Sequence, residues 1–173
     1  MNPPIQHIYD LNRLSAAGDD VVVTAKGDEL VQLARWAEVE SVTRFEGRIA
    51  LRRLSQTRFS YEAELLADIV QSCVVTLDPV PSHIARNFAR ILLLTTGRPA
   101  GGSETIVLPP DADDSPDEIE SSRYDLAIPL LEELALAIDP YPRAPGVTFE
   151  APVPRPAPEE SPFAVLKKLK PGA

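Results

Sequence analysis

The sequence predicts an α+β fold: an antiparallel, curved sheet or partial β-barrel with a short inserted helix, one long packing helix and an extended C-terminal tail. Three observations carry this expectation. The stretches VESVTRFEGRIALRRLS and RFSYEAEL alternate apolar and polar residues with period two, as half-buried strands do. YDLAIPLLEELALAIDPYP places Leu126, Leu130, Leu134 and Ile138 at helical spacing. Beyond that helix the chain is dense in proline, which favours extended backbone and offers little to a core. The organisation is read as one α+β domain over residues 1–143, with an acidic loop at about 97–121. A proline-rich tail, 144–173, ends in a basic mini-helix.

IQHIYDLNRL alternates weakly and reads as a first strand; AAGDD after it reads as a turn. Val21 to Ala25 is β-branched and short, a second strand. The period then changes. Leu30, Leu33, Ala34 and Ala37 share a helical face with Trp36 beside them, so a helix is expected over about residues 28–38, with Asp28 as N-cap or first-turn acid. In the next segment Phe45, Gly47, Ile49 and Leu51 point one way, and Arg44, Glu46, Arg48, Ala50 and Arg52 the other. Phe59, Tyr61, Ala63 and Leu65 repeat the inward row, with Ser60, Glu62 and Glu64 outward. DIVQSCVVTLDPV is expected as a further strand, ending at Asp78-Pro79. SHIARNFARILLL fits both periods; its spacing alone leans to helix.

Between residues 97 and 121 glycines, prolines and the acids from Asp111 to Glu120 read as a solvated loop, in which ETIVL is the part able to pack. Pro129 is expected in the first turn of the long helix, where its missing N–H costs nothing, and Pro140 and Pro142 close that helix. In the tail, Ser161 and Pro162 suit an N-cap and first helical position. Phe163, Leu166 and Leu169 then share a face with Val165 beside them, and Lys167, Lys168 and Lys170 fall at the helix end that favours cations. A helix this short needs docking to persist, since isolated helices require roughly 12–15 residues.

The totals exclude several classes. A formal net charge of −9 on 173 residues argues against coating nucleic acid by bulk charge, though not against a local basic face. One cysteine permits neither an internal disulfide framework nor a cysteine metal cluster. The start of the chain lacks a signal-peptide pattern, and no run approaches the ~20 apolar residues of a spanning helix, so a cytoplasmic protein is expected. No nucleophile-elbow, P-loop or dinucleotide pattern occurs. His7 and His83 lack companions at ligand spacing, and acid pairs such as Glu62/Glu64 and Glu132/Glu133 are ordinary on strand and helix surfaces. The expectation is no catalytic residue, no metal and no cofactor. Cys73 reads as a small buried hydrophobe in a strand, without a neighbouring base to activate it.

Three stretches occur in order: QSCVVTLDPV, YDLAIPLLEELALAIDPYPR after an acidic run, and SPFAVLKKLK. Together they resemble the YceD family, the large ribosomal RNA subunit accumulation proteins, in its alphaproteobacterial form, over nearly the whole chain. The resemblance implies a non-enzymatic bacterial factor linked to accumulation of large-subunit ribosomal RNA. It also implies that SHIARNFARILLL is a strand leaving a tight turn at Pro79–Pro81, and that reading is adopted. Many relatives carry a second cysteine where Thr76 stands, and some end in a cysteine-rich segment where this chain has APVPRPAPEE; no zinc role is carried over.

Two groups are candidate contacts for RNA or a partner. Arg44, Arg48 and Arg52 project from one strand face, where alternate residues stand about 6.8 Å apart, with Arg53 adjacent. They read either as a solvated face paired with Glu62 and Glu64 or as a phosphate-contacting row. Phe163, Leu166, Lys167, Lys168 and Lys170 form the second group, which docks either on its own domain or on a partner. The expected partners are large-subunit ribosomal RNA, a pre-ribosomal particle or a ribosomal protein, without a membrane. The alternative is an adaptor or chaperone-like module that grips a protein and never touches RNA.

Overall fold

The computed structural model describes residues 3–95 and 116–149. The fold is α+β, with strand the largest class and two α-helices among the described residues. Five strands form one sheet in the order β2 (Asp19–Thr24), β3 (Ser41–Arg53), β4 (Arg58–Ser72), β5 (Pro79–Leu94) and β6 (Asp117–Ile119). The first four run antiparallel in sequence order, and β6 joins β5 in parallel. The sheet is open, not closed into a barrel. A separate two-stranded ribbon pairs β1 (Ile8–Asp10) with β7 (Arg123–Asp125). Between β2 and β3 lies α1 (Asp28–Trp36), and α2 (Ala127–Ala137) follows β7.

Period two explains the core. Phe45, Gly47, Ile49 and Leu51 of β3 are buried on the same side as Phe59, Tyr61, Ala63, Leu65, Ala67 and Ile69 of β4. Gly47 leaves room for a side chain of α2: a Cβ added there would meet the methyl groups of Leu130, which is itself fully buried. Leu126, Leu130, Leu131 and Leu134 fill that side, and Leu33 and Ala34 bring α1 into the same cluster. The start of α2 is tied to the ribbon. One oxygen of the buried Asp125 accepts the N–H groups of His7 (2.8 Å) and Ala127 (3.0 Å), so a single carboxylate caps the helix and holds the N-terminal segment.

Several expectations are corrected. The alternation in β3 changes phase at Thr43, where a bulge between Val42 and Arg44 leaves both Val42 and Phe45 buried. IQHIYDLNRL holds only a three-residue strand, followed by a 3-10 helix at Leu11–Arg13. Of the two roles open to Asp28, the first-turn acid is the one it takes; the N-cap is Gly27 at φ +54. The two stretches read as RFSYEAEL and DIVQSCVVTLDPV are not separate strands: one strand of 15 residues runs to Ser72, and residues 73–78 form the turn into β5. SHIARNFARILLL is strand throughout its length and pairs with β4 in unbroken register from Ser72↔Pro79 to Arg58↔Leu93; Pro79 and Pro81 lie inside it and not in the turn. The end of the acidic stretch is also structured, as β6 within residues 117–119. ETIVL, the rest of that stretch, most of the proline-rich tail and the terminal mini-helix lie outside the described residues.

Arg90 explains why β6 and α2 settle where they do. It sits on the inward row of β5, half-buried beside Tyr61 and over the ring of Phe88. Three acids converge on it: Glu132 at 2.9 Å, Asp117 at 3.5 Å and Glu133 at 3.6 Å. An inward cation is costly unless paired, so these acids draw β6 and α2 to the end of the sheet. The neighbouring Tyr61 hydroxyl is buried without a hydrogen-bond partner among the described residues, and burial drives its pKa well above the usual phenol range.

Candidate functional site

The sheet face turned away from α2 carries the first group of predicted contact residues. Arg44, Arg48 and Arg52 do share that face, but each is engaged. Glu46 stands between the first two and binds both, with Arg44 Nη2 at 2.9 Å and Arg48 Nη2 at 2.9 Å. The two arginines, Arg44 first, hold the Glu46 carboxyl below its usual range. Arg48 also approaches Glu64 at 3.9 Å, and Arg52 approaches Asp20 at 3.7 Å while donating to the Leu51 carbonyl at 2.8 Å. Arg53 leaves this face altogether. Its guanidinium donates to the carbonyls of Leu11 (2.8 Å) and Asn12 (3.1 Å) and covers the Phe59 ring at 5.4 Å, so it holds the 3-10 turn to the sheet. Expecting Glu62 as a cross-strand partner was also wrong in register: Ala50, not an arginine, stands opposite it.

The same face forms a shallow open groove of about 920 Å³. Two cross-strand rows build it. One runs Val22, Arg48, Glu64, Asn87; the next runs Asp20, Ala50, Glu62, Ala89. Val22, 57% exposed, with Ala50 and Ala89 makes an apolar floor. Glu62 has no ion-pair partner among the described residues. Across the whole face the carboxylates Asp20, Glu46, Glu62, Glu64 and Asp68 exceed the guanidiniums Arg44, Arg48, Arg52 and Arg58 by one, and the excess is concentrated at the groove, where Asp20, Glu62 and Glu64 meet only Arg48. Such a surface attracts cations and repels phosphates. Sequence reasoning found Glu62, Glu64 and the arginines here. It missed Asp20, Val22, Asn87 and Ala89, because only the pairing of four strands brings them together.

Phe163, Leu166, Lys167, Lys168 and Lys170 lie outside the described residues. No group of three or more His, Cys, Asp or Glu side chains suited to a metal occurs among the described residues, and no helix described is long and apolar enough to cross a membrane.

Cys73 is fully buried, as expected, but it opens the β4–β5 turn and is not a strand residue. Its N–H donates to Asp78 O (2.8 Å) and its carbonyl accepts from Leu77 (2.9 Å); Leu77, at φ +64, takes the left-handed conformation the turn requires. One N–H, that of Ala144, donates to the sulfur, and the Thr76 side chain lies beside it. The Thr76 hydroxyl is the strongest influence, followed by the N–H groups of Ala144 (3.4 Å from Sγ), Thr76 and Val75, and together they pull the thiol down to about 6 against the opposing effect of burial. Sequence position gave no hint of this, because Ala144 comes from the segment after α2, docked by a Val74 N–H to Pro142 O bond of 2.9 Å. A thiol depressed from 9.0 to about 6 contributes stability that is complete above about pH 9 and is lost as pH falls through about 6. The melting temperature of the native protein should therefore exceed that of Cys73→Ala by a margin that grows between those pH values. A margin that stays flat across the window refutes the thiolate.

Comparison with protein-family models, with curated proteins and with solved structures finds no match to this chain.

Proposed function

We propose that this chain is a non-enzymatic cytoplasmic factor supporting large-subunit ribosomal RNA accumulation, and that it acts by binding a basic protein segment, as a ribosomal protein offers. The motif order QSCVVTLDPV, YDLAIPLLEELALAIDPYPR, SPFAVLKKLK supports the ribosomal setting through its likeness to the YceD family. The observation that carries the choice of partner is the excess of carboxylates over guanidiniums around the apolar floor of the sheet groove. Lysine- and arginine-rich polypeptide gains there what a phosphate backbone loses. Direct RNA contact through Arg44, Arg48 and Arg52 has less support, since Glu46 and Asp20 already occupy those side chains.

Crosslinking in growing cells, followed by mass spectrometry and RNA sequencing, tests the reading. The expected result is a large-subunit ribosomal protein joined to β2–β5 residues, with RNA recovered through that protein. Crosslinks from the sheet face straight to RNA overturn the choice of partner. Recovery of non-ribosomal proteins alone favours the adaptor alternative and removes the ribosomal setting.

A further inference from the structure

We propose that the groove has an occupant within its own chain: the segment from Ser161 to Lys170 docks on the sheet face and competes there with outside partners. This rests on the groove and not on the identity of any outside partner.

Chemical complementarity is the first support. The groove offers Val22, Ala50 and Ala89 as floor, with Asp20, Glu62 and Glu64 around them. SPFAVLKKLK supplies Phe163, Leu166 and Leu169 for the floor and Lys167, Lys168 and Lys170 for the acids. The cleft beside α1 suits the segment less well: it is smaller, about 210 Å³, and sets one acid, Glu40, against Arg35, where the groove sets Asp20, Glu62 and Glu64 against Arg48.

Reach is the second support. The segment after α2 is anchored at the β4–β5 turn, where the Ala144 N–H meets Cys73 Sγ. From Ser72, beside that turn, to Glu62 at the groove is ten steps along β4, about 33 Å at strand rise. Residues 144–147 turn back on a Val147 N–H to Ala144 O bond of 3.2 Å, so the tether runs from Val147 to Ser161, fourteen steps, and a proline-rich chain at about 3.1 Å per residue covers about 43 Å. The tether therefore spans the distance with length to pass around a sheet edge. Attachment through such a tether gives an effective concentration approaching the millimolar range, so even a weak contact is well populated.

The consequence is a threshold. A basic segment from another protein has to displace the tail before it binds, and a partner that draws the tail away opens the groove.

The test uses the full chain, isotopically labelled. Two variants, Phe163→Ala with Leu166→Ala, and Lys167→Glu with Lys168→Glu and Lys170→Glu, leave the described domain untouched. Both should shift the backbone amide resonances of Val22, Ala50, Glu62 and Ala89, by amounts independent of protein concentration. A synthetic SPFAVLKKLK peptide added to the lysine-to-glutamate variant should bind at least about ten-fold more tightly than it binds the native chain, whose groove is already filled. Shifts confined to the tail, shifts at α1 or α2 instead, or shifts that grow with concentration overturn the proposal. None of these readouts involves a ribosomal component, so the ribosomal reading and this one fail separately.

Discussion

Gly47→Ala should destabilise the protein by about 1–3 kcal/mol, although the same change in an open strand would be neutral or favourable. The added methyl meets the Leu130 side chain, which is wholly buried, so the helix side chain or the strand has to shift. Leu130→Ala alone should cost about 2–5 kcal/mol, since it removes a buried leucine and leaves a cavity between α2 and the sheet. Combined in one chain, the two changes should cost clearly less than the sum of the separate losses, because the new methyl enters the space the leucine vacates. Urea unfolding of the four proteins measures the coupling. Additive losses would show that α2 does not meet the sheet at Gly47, and would remove the support for the inward face described above.

Charge reversal on the opposite face should have the largest functional effect. Glu62→Lys with Glu64→Lys should weaken binding of a basic ribosomal segment on the order of 100-fold, because like charges placed together at an interface cost several kcal/mol. The two side chains lie on the solvent side of β4, so the fold should persist, which circular dichroism can verify. Arg44→Glu with Arg48→Glu should leave that binding intact or tighten it, since it deepens the acidic field around the groove while releasing Glu46. Titration by calorimetry separates the outcomes. If the arginine pair proves indispensable and the glutamate pair does not, the partner is a polyanion and the phosphate-contacting reading of the arginine row is restored.

The elements legible from the residues are those whose own pattern repeats without exception. β3 from Phe45 to Leu51 and β4 from Phe59 to Leu65 alternate cleanly, and α2 repeats every turn. What went unread has specific causes. The adjacent Leu65 and Leu66 blur the period, so β4 looked as though it ended early. In β5 the inward positions include Arg86 and Arg90, and cations on a core-facing row mask a strand; spacing alone therefore leaned to helix. β6 looked like loop because Asp117 and Glu118 are acids, yet Asp117 is there as a partner for Arg90. Each half of that interaction reads wrongly without the other.

The groove follows the same division. Which side chains share a face of β3 or β4 is a local property, set by the two-residue repeat of extended backbone, and the composition of each strand was readable from that repeat. Which residues stand beside one another across β2, β3, β4 and β5 depends on register, and register comes from pairing between segments far apart in the chain. Residue order thus dictated the inward and outward rows of β3 and the first half of β4, the two helices and the acidic balance. Tertiary pairing decided that Arg48 meets Glu64 and Arg52 meets Asp20, that Glu62 faces alanines, and that Ala144 reaches the sulfur of Cys73. The physical reason is that charge and hydrogen-bond energies depend on distance through space, which no reading along one strand contains.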